Sequence, residues 1–434
     1  MKKILCMIIL LCVTAGFFAD TVIGTVDIDE KNILEVYAFN DKTSAIIFYK
    51  ETEGLISVIT EYFICYKNDV FGPFDDIDVA EFSPDGKTLA YGAKIDGEYY
   101  LFAGKEKTGP FDDIGWPEFS PDGKMLVYKA KIDDKWYLFA GKEKTGPFDD
   151  IHWPEFSPDG KTLAYTAEID GKWYLFAGKE KTGPFEHVFF EFSPDGKTLA
   201  YGAKIDGEYY LFAGKEKTGP FDDINVAEFS PDGKTLAYRA KIDGKWYLFA
   251  GKEKNGPFDG FRNIPYDNRY YEFSPDGKTL AYTARIDGKW YLFAGKEKTG
   301  PFDDIGYPKF SPDGKTLAYT ARTDGKWYLF AGKEKTGPFD DIRWPQFSPD
   351  GKTLAYKAKI DGKWYLFAGK EKTGPFDDID ELKFSPNGKT LAYAAAIDDK
   401  PYTKVIIDGI TYPGSVGIDG KTVYVKNGKI MMRE

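Results

Sequence analysis

Apolar and polar positions alternate along most of this chain with a period of two, in short runs separated by glycine-containing turns, and helical periodicity is absent. Residues 116–151 show the pattern. WPEFS, from Trp116 to Ser120, is an extended run that ends at the turn Pro121-Asp122-Gly123. Proline presets the first turn dihedral, aspartate caps locally, and glycine accepts the positive φ. The following KMLVYKAKI alternates, placing Leu126, Tyr128, Ala130 and Ile132 on one face of a second strand. In most copies the next turn is Asp-Gly, as at Asp170-Gly171 and Asp243-Gly244, a strong signal for a two-residue hairpin. The third run, WYLFAG, is aromatic and apolar throughout, which predicts a strand buried on both faces. A turn at Gly141-Lys142-Glu143-Lys144 leads into a predicted fourth strand, TGPFDDI.

This unit repeats. The phrase FSPDGKTLAY or a close variant begins at Phe82, Phe119, Phe156, Phe192, Phe229, Phe273, Phe310, Phe347 and Phe384. Successive copies are 37 residues apart, with one gap of 36 and one of 44. A fixed period of this size means stacked copies of one supersecondary unit. Four short antiparallel strands per copy make a compact blade, and blades bury both faces against their neighbours, so the predicted fold is an all-β β-propeller. Leu34 to Ile77 reads as a degenerate first unit that ends in the same GPFDDI, and the last full unit runs to about Val416. GIDGKTVYVKNGKIMM resembles a further unit lacking its fourth strand, which Thr21 to Ile28 is placed to supply. The expectation is 10–11 units. Seamless repetition favours one large ring; two smaller propellers divided at the irregular stretch near 260–271 are the alternative.

FSPDGKTLAY followed by a strand and a glycine hairpin resembles the WD40-like (PD40) repeat of TolB-type propellers. The resemblance covers residues 82 to about 400 and rests on nine SPDG or SPNG turns, with Asn387 in the last. It implies a propeller that binds partner proteins in the periplasm. The chain departs from TolB in one respect: TolB has an α/β domain before its propeller, whereas the residues before Phe82 already read as blade. Related propellers cap serine peptidase domains, but no hydrolase domain follows here and G-x-S-x-G does not occur.

Residues 1–19 differ from the repeats. Lys2 and Lys3 precede an apolar run from Ile4 to Val13 and then small residues, the layout of a signal peptide cleaved after Ala15 or Ala19. The array proper is 20–434. Cys6 and Cys12 leave with such a leader, so Cys65 has no partner for an internal disulfide. With 58 basic and 69 acidic residues, two of the basic ones in the leader, the mature net charge is about −13. A chain this acidic is unsuited to phosphate backbones, which excludes nucleic acid as a partner. No other apolar run approaches membrane-spanning length, so the mature protein is expected to be exported and periplasmic or extracellular.

Candidate chemistry is confined to the positions where the copies differ. Those following DDI read Asp78-Val79, Gly115-Trp116, His152-Trp153, Asn225-Val226, Gly306-Tyr307, Arg343-Trp344 and Asp380-Glu381. Trp116, Trp153, Tyr307 and Trp344 are candidates for a partner surface, because amphipathic aromatics anchor interfaces. The tryptophans of the WYLFAG strands are assigned to the core. The longest departure, Gly260 to Glu272, adds Phe261, Arg262, Tyr266, Arg269, Tyr270 and Tyr271, the aromatic and arginine mixture of binding hot spots. A variable position within the second strand (Gly92, Lys129, Thr166, Gly202, Arg239, Thr283, Thr320, Lys357, Ala394) is expected to contact solvent or the channel and not to pack tightly. Eight GKEK turns on one side and the Asp pairs on the other suggest an electrically two-faced molecule.

Enzyme chemistry has little support. The two histidines, His152 and His187, lack a neighbouring nucleophile pattern, and metal-ligand spacings are absent. The SPDG serines recur with their turns. Asp27, Asp29 and Glu30 lack the turn glycine of a calcium loop. No cofactor or metal is expected. The reading is a non-catalytic envelope scaffold that binds an envelope or extracellular protein, with a lectin-like, glycan-binding propeller as the alternative.

Overall fold

The computed structural model describes the backbone of residues 6–14, 17–26, 33–40, 43–53, 58–66, 69–262, 271–385, 388, 391–397, 400–407, 410–412, 414–416, 422–426 and 429–433. Within these it describes side chains from 60 to 396, apart from 79, 153, 226, 381 and 392. Among the described residues there are strands and turns and no helix, and the strands form eleven sheets, as the repeat count predicted. The fold is that of repeated β-propeller blades.

One blade represents the rest. Its strands a (Asp150–Phe156), b (Leu163–Ile169), c (Lys172–Ala177) and d (Glu180–Phe185) pair antiparallel in the order a-b-c-d. The b–c hairpin turns on Asp170 (φ 52°) and Gly171 (φ 71°), the two positive dihedrals of a type I′ turn. The a–b turn is closed by its own side chains. Ser157 Oγ donates to Asp159 Oδ1 (2.8 Å) and accepts from Thr162 N–H (2.9 Å), and Gly160 N–H donates to the Ser157 carbonyl (2.7 Å). The serine is buried in all nine copies.

Strand boundaries differ from the sequence reading in the GKEK and DDI segments. The c–d turn consists of Gly178 and Lys179 alone, and Glu180 already begins strand d. Strand d ends at the phenylalanine of GPF, the first aspartate is a bend, and the second aspartate starts strand a of the next blade. Hydrogen bonds explain the division. Asp149 Oδ2 accepts the Asp170 N–H of the b–c turn (2.7 Å), while Asp150 Oδ1 caps Ile151 N–H (2.7 Å).

The apolar cores lie between consecutive sheets. Val127, Leu138 and Phe148 of one blade pack on Ile151, Phe156, Tyr165 and Ala167 of the next. The same set recurs as Leu329, Phe339, Ile342, Tyr356 and Ala358. Strand b is the most deeply buried, with LAYTAEI covered from Ala164 to Ala167. Strand c, expected to be buried on both faces, fully buries only Leu175 of its six residues. The tyrosine at its second aromatic position instead carries a strand-d lysine, as Lys144 does at 3.8 Å from the Tyr137 ring. Gly146 (φ 139°) permits this: a Cβ there would lie 2.8 Å from the Tyr137 ring and 2.9 Å from the Trp136 carbonyl.

The variable position in strand b is also a correction. It is buried in every copy but one: Thr166 is 0% exposed, Lys357 4% and Arg239 8%, while Lys129 is partly buried. It lies beside the residue after DDI on strand a, and where one of the two is glycine the other fills its space. Gly115 stands against Lys129, Gly306 against Thr320, and Gly202 against Phe189. Variation there is cross-strand packing.

Contact density divides the chain into two units, Met1–Val188 with Gly417–Arg433, and Phe189–Val416. The irregular stretch 260–271 lies inside the second. The degenerate first blade forms as expected, from strands Ile33–Asn40, Thr43–Glu53, Val58–Tyr66 and Asp69–Phe74. The first unit also contains a sheet ordered Phe17–Val26, Cys6–Thr14, Lys429–Arg433, Thr422–Lys426. N-terminal chain thus completes the C-terminal unit, but Cys6–Thr14 takes the place next to it, in parallel pairing, and the strand containing Thr21 is outermost.

Candidate functional site

Strand a sets the site through a bulge. In the blade above, His152 pairs with Thr166 and Glu155 with Ala164, so Trp153 and Pro154 stand against Tyr165 alone. Proline has no N–H to give to the ladder, which makes x-Trp-Pro a natural point of disruption. In the preceding blade the strand breaks into Asp113–Ile114 and Glu118–Phe119, with Gly115-Trp116-Pro117 between. Released from the ladder, the Trp116 side chain turns outward and is 72% exposed. Trp344 lies at the bulge of the continuous strand Asp341–Phe347, with a φ of 56° and 44% exposure, and Lys357 Nζ sits 4.1 Å from its ring. Tyr307, between the short strands Asp304–Ile305 and Lys309–Phe310, is half-buried, and burial pushes its hydroxyl pKa up.

In the first unit the bulge opens a cleft of about 560 Å³, walled by Trp116, Pro117, Ile151 and Pro154. Its polar lining is Glu81, Glu118, Lys129 and His152, and it includes no hydroxyl or thiol. Lys129 and His152 are both engaged by the protein. Lys129 Nζ donates to the Ile151 carbonyl (2.7 Å) and sits 4.4 Å from the Trp136 ring. His152 Nε2 is 2.8 Å from Asp150 Oδ2, and its ring packs on Trp173 with centroids 4.6 Å apart. Burial raises the pKa of Glu81. Glu118 is raised mainly by burial and further by Glu155 and Glu81, against a hydrogen bond from Phe156 N–H that lowers it.

The expected hot-spot stretch is placed differently. Tyr271 is 2% exposed and donates its hydroxyl to the Ala237 carbonyl (2.8 Å). Phe261 packs edge-on against Phe258 (5.3 Å) and joins the same core. Tyr271 is thus a core residue, while Phe261 is partly buried and packs against that core. They occupy the places that an Ile and an apolar residue hold in other copies. Arg262 is half-buried, with Nη2 2.6 Å from Asp304 Oδ1 of the next blade. Tyr266, Arg269 and Tyr270 lie outside the described residues, as does the Trp153 side chain. Five WYLFAG tryptophans are partly buried and Trp364 is buried, as their core assignment requires.

The Asp-rich side is not a free acidic face. Lysines of the Asp-Gly-Lys turns pair with the first aspartates, as in Lys245–Asp259 (3.1 Å), Lys289–Asp303 (2.8 Å) and Lys326–Asp340 (2.7 Å). The carboxylates lining the cleft were missed in the sequence, although a signal was present. The residue before each FSPDG phenylalanine is Glu81, Glu118 and Glu155 in early copies, but Lys309, Gln346 and Lys383 in late ones.

No protein-family model matches the chain, and no curated protein matches it. It is similar to solved propeller structures at low identity. The Dos1 propeller shares 13% identity over 69% of this chain and 92% of that one, with a TM-score of 0.33. A eukaryotic initiation factor shares 12% over 69% and 85%, TM-score 0.39. TolB from Acinetobacter baumannii shares 14% over 73% and 80%, TM-score 0.26.

Proposed function

We propose that this chain is a non-catalytic, exported propeller scaffold that binds a protein partner in the cell envelope through the bulge face carrying Trp116. The observation that carries the reading is Trp116 itself: a large apolar side chain, 72% exposed, at the edge of a cleft. Interface energy concentrates in such residues. In the second unit, Trp344 and Tyr307 stand at the corresponding position of their own blades. The serine is buried in all nine copies and in eight of them donates to the aspartate two residues on, which suits a turn and not a nucleophile. Export rests on the leader-like residues 1–19, and the strand Cys6–Thr14 that pairs with Lys429–Arg433 belongs to the uncleaved chain and leaves with the leader. Among the described residues no helix is long and apolar enough to cross a membrane.

The test is crosslinking capture from envelope extract, with Trp116→Ala beside the unaltered protein. Loss of a captured protein in the variant supports the reading; equal capture by both removes Trp116 from the site. Intact mass of the exported protein tests leader cleavage. The exposed indole beside carboxylates also suits stacking on a sugar ring, the lectin-like alternative. That reading requires a free saccharide to displace whatever is captured.

A further inference from the structure

Among the described residues, the two most exposed tryptophans occupy equivalent positions in blades that are otherwise near copies, yet their surroundings differ in charge. Around Trp116 the residues before the FSPDG phenylalanines are Glu81 in the preceding blade and Glu118 in its own. Around Trp344 the same places hold Lys309 and Gln346. Both indoles leave the ladder at the same Trp-Pro bulge. The walls differ in charge, and the Trp344 ring already carries Lys357 Nζ at 4.1 Å.

Around Trp116 the basic side chains are already committed. Lys129 is held by the Ile151 carbonyl and the Trp136 face, and His152 by Asp150 and Trp173. Glu81 and Glu118 are drawn into the same cleft near one another, with Glu155 adding repulsion. An aromatic face flanked by carboxylates has a defined complement. It is a cation with an apolar stem, whose charge meets the carboxylates while its stem or plane lies on the indole.

We propose that the Trp116 cleft receives a basic side chain, arginine or lysine, from a polypeptide partner, with Trp116 as the platform and Glu81 and Glu118 as the acceptors. This rests on the protein-partner reading above and gives that partner a chemistry. The Trp344 site, with Lys309 and Gln346, rejects the same side chain and serves as a control within the molecule.

The probe is an acetylated, amidated tetra-arginine peptide, titrated calorimetrically into the full chain, with tetra-aspartate and a neutral Gly-Ser peptide alongside. Trp116→Ala leaves net charge unchanged, so a weakened affinity in it separates the cleft from bulk attraction to an acidic protein. The expected loss is about 5-fold or more, as for an aromatic–cation contact. Glu81→Lys with Glu118→Gln, which rebuilds the Trp344 surroundings, abolishes saturable binding; glutamine still accepts the Phe156 N–H. Trp344→Ala leaves binding unchanged. Circular dichroism verifies that each variant is folded, and Trp116→Gln repeats the test with a polar replacement. Equal affinity in Trp116→Ala, an equal loss in Trp344→Ala, or no binding of tetra-arginine overturns the proposal. If tetra-arginine fails while Trp116→Ala still loses the crosslinked partner, the cation is wrong and the partner surface stands. Should both assays be indifferent to Trp116, both readings fall.

Discussion

Replacing Ser157 by alanine tests whether the ninefold serine is a structural part of the turn. Ser157 is 0% exposed, and its Oγ is the acceptor for Thr162 N–H at 2.9 Å and a donor to Asp159 Oδ1 at 2.8 Å. Alanine removes both bonds without changing the backbone. Asp159 lies open to water, which replaces its lost donor. The Thr162 amide is half-buried and is left without its side-chain acceptor. An incompletely satisfied donor of this kind costs about 1–2 kcal/mol. Repeat arrays need not unfold in one step, so the measurement must be local as well as global. Hydrogen exchange at Thr162 reads the turn directly, and urea titration reads the array. Exchange about 10-fold faster, the equivalent of about 1.4 kcal/mol, is expected. Unchanged exchange together with an unchanged urea midpoint would refute the assignment of the serine to the turn.

Three further outcomes follow from the same geometry. Leu138→Ala, in the core between two blades at 2% exposure, should destabilise by about 2–5 kcal/mol in urea, whereas Met125→Lys, at a 40% exposed site, should change stability by less than about 0.5 kcal/mol. Tyr271→Phe removes a buried hydroxyl bonded to the Ala237 carbonyl and should cost about 1–2 kcal/mol while leaving partner capture intact; lost capture would return Tyr271 to the surface. Asp85, Asp122, Asp159, Asp232 and Asp350 are held at about 2, with a lysine or serine hydrogen bond as the largest cause. A depressed carboxylate pKa stabilises the fold above its unfolded value of 3.8 and ceases to do so as pH falls through the folded value. Protection from exchange in the SPDG turns, relative to the intrinsic rate at each pH, should therefore hold at pH 5 and fall between pH 4 and 2; protection lost well above pH 4 would contradict the assignment.

The blade was legible because its signals are local and repeated. SPDG and Asp-Gly encode turns in their own dihedrals, and alternation in LAYTAEI encodes strand b. What escaped depends on the neighbouring blade. The Asp149-Asp150 pair reads as one polar end of a strand, and only the separate targets of the two carboxylates divide it. Lys129 and Lys357 look like solvent-facing residues by type. Their ammonium groups reach the Ile151 and Ile379 carbonyls of the following blade, which an isolated repeat does not show. Tyr271 was misplaced for the same reason: an aromatic residue near a long loop suits a surface or a core equally, and inter-blade packing decides. At the site, the sequence identified the variable aromatics as a class. Their exposure followed from the Trp-Pro bulge, and the carboxylates beside Trp116 were hidden within a motif that elsewhere serves the turn.

The central claim is that Trp116 marks a partner-binding surface. Its most direct test is quantitative crosslinking capture from envelope extract, comparing the unaltered protein with folded Trp116→Ala and Trp344→Ala variants. The account predicts a discrete protein captured by the unaltered chain and lost or strongly reduced with Trp116→Ala. Undiminished capture by the Trp116→Ala variant would contradict it.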